Sequence, residues 1–369
     1  MIRRVVELIA LLTLAMAVTP ASATTVAVNT DSAKAVLEAL QNPGLTHDAS
    51  LKIAAMPGNQ GIIRKLVEFK LAANTQGFAD ALYDCAHGVK ATSSMEEAYS
   101  FDSVKPRIPQ LKTLLKEIAT NPAEFQGKIE KRIAMFAPAG TDLKLQGYVV
   151  AGGDGGGYTF GGTDFYLNLG MTDEYVVAIG VTTHELYHAV QGAFAKDRGA
   201  VEDLPSLDGM TPTQQSCVKS AQLLANLYEE GTAMYVEDIS LLQSAHSELG
   251  QRMQTDARDG IRHVHASVSL LEMSVISLGS AEPMSFDDVY DVGFYGHGIL
   301  YNVGYVMAKA IADQDGAQGL AAHLKLPSTQ FLLHYTELPK YGKDKDHPTL
   351  GPNTVAAARR VIAGCGPAH

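Results

Sequence analysis

"VTTHELYHAV", residues 181–190, sets two histidines four positions apart with a glutamate directly after the first. In an α-helix, residues i and i+4 stand one above the other on the same face. His184 and His188 can therefore aim imidazole nitrogens at one point, and Glu185 flanks that point. The surrounding run DEYVVAIGVTTHELYHAVQGAF, 173–194, reads as one helix. Val176, Val177, Ile179 and Val181 make an apolar approach, Thr172 or Asp173 can cap it, and Asp173 and Glu174 suit its positive N-terminal end.

Two imidazoles at this spacing suit zinc, which takes nitrogen ligands at about 2.0–2.1 Å in tetrahedral geometry. A catalytic zinc site needs three protein ligands and one open position. Glu185, beside rather than facing the ion, is placed to act as general base toward water there. The competing reading is a pair of packed or surface histidines. An apolar helix, a strand ahead of it and a carboxylate on a later helix favour the metal site.

The third ligand is not a histidine of the H-E-x-x-H-x-x-G-x-x-H kind, because positions 191 and 194 are Gln191 and Phe194, and the next histidine is His246. A carboxylate is expected instead. Tyr228-Glu229-Glu230-Gly231-Thr232-Ala233 offers two, which a helix turns about 100° apart, so only one can face the ion.

H-E-x-x-H followed on a later helix by E-G-x-A resembles the gluzincin, or thermolysin-like, zinc metallopeptidases. It is similar, more narrowly, to bacterial exported zinc-dependent peptidase families. The resemblance covers about 170–240 and implies zinc bound by His184, His188 and Glu230, with Glu185 as base and a peptide or protein as substrate. The 41 residues between His188 and Glu230 imply an inserted loop around 196–214. Such enzymes also use a Tyr or His from the C-terminal lobe to steady the oxyanion. Within Tyr295-Gly296-His297-Gly298-Ile299-Leu300-Tyr301-Asn302-Val303-Gly304, the Y-x-x-G segment favours Tyr301, then His297. Each could equally be an aromatic packed on an apolar helix face. Glu229 and Glu237 are candidates to orient a ligand histidine, although a surface role is the plainer expectation for Glu237. Arg262-His263-Val264-His265 reads as surface, since i and i+2 point to nearly opposite faces.

Outward from this centre, the chain of 369 residues is globular in composition, with 46% hydrophobic and 19% charged residues. A net charge of −11 argues against nucleic acid as a partner. Arg3 and Arg4, the apolar run Leu8–Val18 and Ala21-Ser22-Ala23 form a signal-peptide pattern over 1–23, so the mature chain is expected in the periplasm or secreted. That run is too short to span a bilayer, and no longer one follows. An oxidising compartment would allow one disulfide among Cys85, Cys217 and Cys365, in a pairing the sequence leaves open. There is no C-x-x-C and no G-x-S-x-G.

Residues 24–138 read as a helical N-terminal region, and 139–369 as a zincin-like catalytic unit. DLKLQGYVVAGG and TDFYLNLG look like strands. Between them, GGDGGGYTFGG, 152–162, matches no phosphate-binding glycine pattern and reads as a tight connection. A long helix is expected over 215–245. The fold class is α+β and mostly helical: a small twisted sheet, the 173–194 helix beneath it and a helical lobe. An extended peptide would pair with DFYLNLG as the edge strand. The alternatives are a zinc-containing binding or scaffold protein without turnover, or a zinc hydrolase of a non-peptide bond. The oligomeric state is left open.

Overall fold

A computed structural model describes residues 24–198, 204–296 and 298–365. The expected signal peptide, 1–23, and the candidate His297 lie outside the described residues. β1 (Thr25–Asn29) leads into α1 (Asp31–Ala39), α2 (His47–Ala54), α3 (Pro57–Glu68), α4 (Thr75–Ala86), α5 (Ser94–Ala98), α6 (Phe101–Val104), α7 (Ile108–Thr120) and α8 (Pro122–Phe136). β2 (Lys144–Val150), β3 (Gly157–Thr159) and β4 (Asp164–Asn168) precede α9 (Tyr175–Ala193) and α10 (Ala195–Arg198). The C-terminal part is α11 (Pro212–Glu237), α12 (Glu248–Arg262), α13 (Val264–Leu278), α14 (Phe286–Tyr290), α15 (Ile299–Ala322), α16 (Ser328–Glu337) and α17 (Pro352–Ala363). The architecture is thus α+β and mostly helical, and no helix among the described residues is long and apolar enough to cross a membrane.

The sheet runs β1-β2-β4-β3, with β1, β2 and β4 parallel and β3 antiparallel to β4. Its first strand therefore comes from ahead of the N-terminal helices. Two expectations are corrected. β4, the DFYLNLG strand, is interior, and its near-continuous burial is what a strand covered on both faces requires. The edge beyond it is β3, formed inside the glycine-rich stretch that reads as a mere connection, and the opposite edge is β1. Three residues, Gly-Tyr-Thr, are too short a run to show the alternation that announces a strand, and they become one because β4 supplies the hydrogen-bonding partner.

Side-chain parity places the helices. Gly157 pairs with Leu167 and faces Val181 and Glu185 of α9, so α9 packs on that face. Tyr166, one residue out of phase, packs against Gly61 of α3 on the other. α9 begins at Tyr175, two residues later than expected. Glu174 does not cap its own helix. Its carboxylate accepts from the backbone N–H groups of His246 and Ser247, each at 2.9 Å, and pins the start of α12 to the start of α9.

α11 starts with a capping box in which Thr211 and Gln214 satisfy each other's backbone N–H groups. It ends at Glu237, short of the expected 245, because Asp238 takes a left-handed backbone with φ 65°. A short 3₁₀ turn, Ile239–Ser244, follows. α11 and α15 cross at two glycines. A Cβ on Gly231 would lie 2.2 Å from the Gly304 Cα, and one on Gly304 would lie 2.3 Å from the Leu227 carbonyl oxygen. Only glycine at both positions allows this backbone approach. Cys217 of α11 is bonded to Cys365, beyond α17, while Cys85 is a buried free thiol. Leu37, Phe78 and Ile129 belong to the same buried cluster as Leu186, Leu227 and Ile311, so the N-terminal helices and the later elements share one core.

Candidate metal centre

Within H-E-L-Y-H, Leu186 and Tyr187 are fully buried, and the Tyr187 hydroxyl donates to the Phe136 carbonyl at 3.2 Å. Their anchoring turns the other face of α9, with His184, Glu185 and His188, toward a half-buried cleft. The His184 and His188 Nε2 atoms lie 3.1 Å apart. Glu230 of α11 brings Oε2 to 3.5 Å from the first and 3.4 Å from the second. Donors about 2.1 Å from a tetrahedral centre stand roughly 3.4 Å from each other. The three atoms therefore fit one small cation, with a fourth corner left for another ligand, and these residues are the metal-type cluster found among the described residues.

The two histidines are held by different means. His184 Nδ1 lies 3.2 Å from Glu237 Oε2. Glu237 follows Glu230 by seven residues, two helical turns, so both carboxylates share a face, and the surface role expected for Glu237 is overturned. His188 Nδ1 lies 2.7 Å from Gln191 Oε1. The Gln191 amide donates its Nε2 hydrogens to the Glu229 carbonyl and to Thr232 Oγ1, both at 2.8 Å. That fixes which end of the amide is oxygen. Only an acceptor faces His188, so Nδ1 carries the hydrogen and Nε2 keeps its lone pair for the cluster.

Glu229 is turned out of the cluster. Its Oε1 accepts from Arg198 at 2.6 Å, and Arg198 also donates to the Gln191 carbonyl at 2.6 Å. Gln191 and Arg198 have no place in the motif. Gln191 carried a usable signal, a polar residue three after His188 on an otherwise apolar helix. Arg198 carried none.

The electrostatics favour positive charge at the centre. Burial opposes ionisation of Glu230, but the adjacent His188 and His184 reverse this and hold its carboxyl far below the usual range. Burial likewise disfavours the imidazolium of His184, yet Glu230 and Glu237 carry it well above an ordinary histidine; burial also opposes the charge of His188, and Glu230 raises it. Two imidazoles and a carboxylate that together draw in a cation have the chemistry of a zinc ligand set.

Glu185 lies beside the cluster under β3. A methyl group on Gly157 would come within 2.7 Å of Glu185 Cγ, so the edge strand can run over this carboxylate only as glycine. Burial raises the Glu185 carboxyl, and His184 and His188 moderate the rise. Tyr301 stands one turn before Gly304, and the close α11–α15 crossing brings its ring to 6.4 Å from that of His184. Burial, reinforced by the charge of Glu230, pushes its phenol well above the usual range, so at neutral pH it is an O–H donor. Tyr290 stands near it, ahead of the stretch 295–304 that supplied the donor candidates, and packs 5.6 Å from Tyr295, the first residue of that stretch. His263 and His265 are exposed, as expected.

No curated protein and no solved structure matches this chain. A family model does match, over residues 51–344, from α2 to beyond α16. It takes in every residue of the cluster, and by that match the chain belongs to the family DUF5700, described as "Putative zinc dependent peptidase".

Proposed function

We propose that this chain is an exported zinc-dependent peptidase of gluzincin type. The observation that carries the reading is the convergence of His184 Nε2, His188 Nε2 and Glu230 Oε2, 3.1–3.5 Å apart, with Glu185 beside them. Zinc held there supplies Lewis-acid polarisation of a carbonyl and acidification of water. Glu185, its carboxyl raised by burial, takes the proton of the attacking water on a carboxylate oxygen and returns it to the leaving amine. The Tyr301 hydroxyl donates to the oxygen that gains charge in the tetrahedral step. Glu237 and Gln191 hold the two imidazoles in orientation. An extended substrate is oriented along the β3 edge, directly above Glu185. The Cys217–Cys365 disulfide agrees with an oxidising destination.

The test is metal content and peptide hydrolysis in the purified mature protein. Wild type is expected to hold one zinc, Glu230→Gln to lose it and Glu229→Gln to keep it. Glu185→Gln should keep zinc and lose hydrolysis. Metal that survives Glu230→Gln but not Glu229→Gln would reverse the ligand choice. A wild type without zinc after reconstitution would end the reading.

A further inference from the structure

A cavity of about 790 Å³ opens beside the metal centre, on the side of His184 and Tyr301. That is within the roughly 300–1,000 Å³ of small-molecule sites. It lies between α11, α12, α13 and the start of α15, so one wall is shared with the centre itself. Met234, Leu242, Met253 and Phe294 make an apolar stem to it.

Apart from His184 and His263, the charge-bearing part of the lining is one-sided. Asp256 and Asp259, one turn apart on α12, and Glu237 contribute three carboxylates, while no lysine or arginine is among the lining residues. Glu237 is engaged with His184, and Asp259 has Arg262 at 2.8 Å. Asp256 forms no ion pair among the described residues. A separate feature points the same way. Asn302 lines the cavity at 4% exposure, and its Nδ2 donates to the Gly298 carbonyl at 2.8 Å. Its Oδ1, beside Gly260, is a buried acceptor with no donor. A buried acceptor without a partner is costly, and a ligand that brings N–H groups relieves it. Apolar walls that end in acceptors match a side chain with a hydrocarbon stem and a cationic, donor-rich head.

We propose that this cavity is the specificity subsite of the centre and takes the lysine or arginine side chain of a peptide substrate next to the bond cleaved. The proposal rests on the peptidase reading, and two measurements separate the two. The first is cleavage by the zinc-loaded enzyme of internally quenched peptides that differ at one position, carrying Arg, Lys, norleucine or Glu, with cut sites mapped by mass spectrometry. The second is calorimetric binding of acetyl-Gly-Xaa-Gly-amide, with the same four residues, to zinc-loaded Glu185→Gln.

Arg and Lys are expected to exceed norleucine by about tenfold in both, and Glu by more, since the unpaired Asp256 carboxylate on the wall of the cavity attracts a cationic head and repels an anionic one. Asp256→Asn should reduce the preference to about threefold or less, and Asp256→Lys should favour the Glu peptide. Equal binding of Arg and norleucine, or an undiminished preference in Asp256→Asn, overturns the subsite. Cleavage without a basic preference overturns the subsite and leaves the peptidase reading intact. Basic-selective binding with no cleavage of any peptide keeps the cationic site and ends the peptidase reading.

Discussion

Replacing Gln191 by leucine, a side chain of similar size, should uncouple the metal centre from the helix that carries it. Three hydrogen bonds disappear together: the acceptor at 2.7 Å from His188 Nδ1, and the donors at 2.8 Å to the Glu229 carbonyl and to Thr232 Oγ1. At about 1 kcal/mol net each, the loss is about 3 kcal/mol of stability, a sizeable part of the 5–15 kcal/mol of an ordinary domain. Gln191 is 2% exposed, so water cannot replace these partners without rearrangement. Zinc affinity should fall roughly 10- to 100-fold, because His188 loses the partner that fixes its ring and tautomer. The assays are competition for zinc against a chromophoric chelator and urea unfolding in EDTA. Gln191→Glu separates the two effects, since it restores an acceptor for His188 Nδ1–H but cannot donate to the Glu229 carbonyl or Thr232. Its zinc affinity should lie close to wild type while its stability falls. Zinc affinity within twofold of wild type in Gln191→Leu would refute the orienting role of this residue.

Three further outcomes follow from the packing. Gly304→Ala puts a methyl group 2.3 Å from the Leu227 carbonyl oxygen, so α11 and α15 must separate, at a cost of about 1–3 kcal/mol or more and with loss of activity as Tyr301 withdraws; thermal unfolding and turnover read both. Glu272 of α13 accepts from the Asn353 N–H at 2.9 Å and the Thr354 N–H at 2.8 Å, capping α17 from another helix. Burial disfavours its charge but those bonds win, so its carboxyl is depressed below 4.5; its contribution is complete above that value and lost as pH falls through the folded pKa, a dependence that urea titrations should find missing in Glu272→Gln. Reducing the Cys217–Cys365 bond opens a loop of 148 residues. Unfolding with and without reductant should differ by about 2–5 kcal/mol, and an unchanged midpoint would show that the bond does not restrain the chain.

His184, Glu185 and His188 were legible because they sit within one helical turn, where the covalent spacing alone sets which side chains share a face. Glu230 followed from a pattern, since its neighbour Glu229 is equally charged and equally near in sequence. What separates the two is Arg198, which occupies Glu229 and stands 31 residues earlier in the chain. Glu237 sat in view at two turns from Glu230, but whether a helix face is solvent or metal centre depends on which element crosses it. The edge strand was misassigned for a related reason. β4 is long enough to read as a strand and β3, three residues inside a glycine-rich stretch, is not, yet strand order is set by pairing, and β3 closes the sheet on the side of Glu185.

By itself, then, the sequence determined what a repeat of 3.6 residues per turn determines: a helix with two imidazoles and a carboxylate on one face, a second helix with a glutamate before a glycine, and a mostly helical chain around a few strands. The tertiary structure decided the rest. It joined β1 to strands more than a hundred residues on, paired Cys217 with Cys365 and closed α11 on α15 through Gly231 and Gly304. It also gave His188 an amide rather than a carboxylate as its partner. Each of these is a contact between segments far apart in the chain. Local propensity is silent about such contacts, because their free energy comes from burial and hydrogen bonding that exist only once the core has formed.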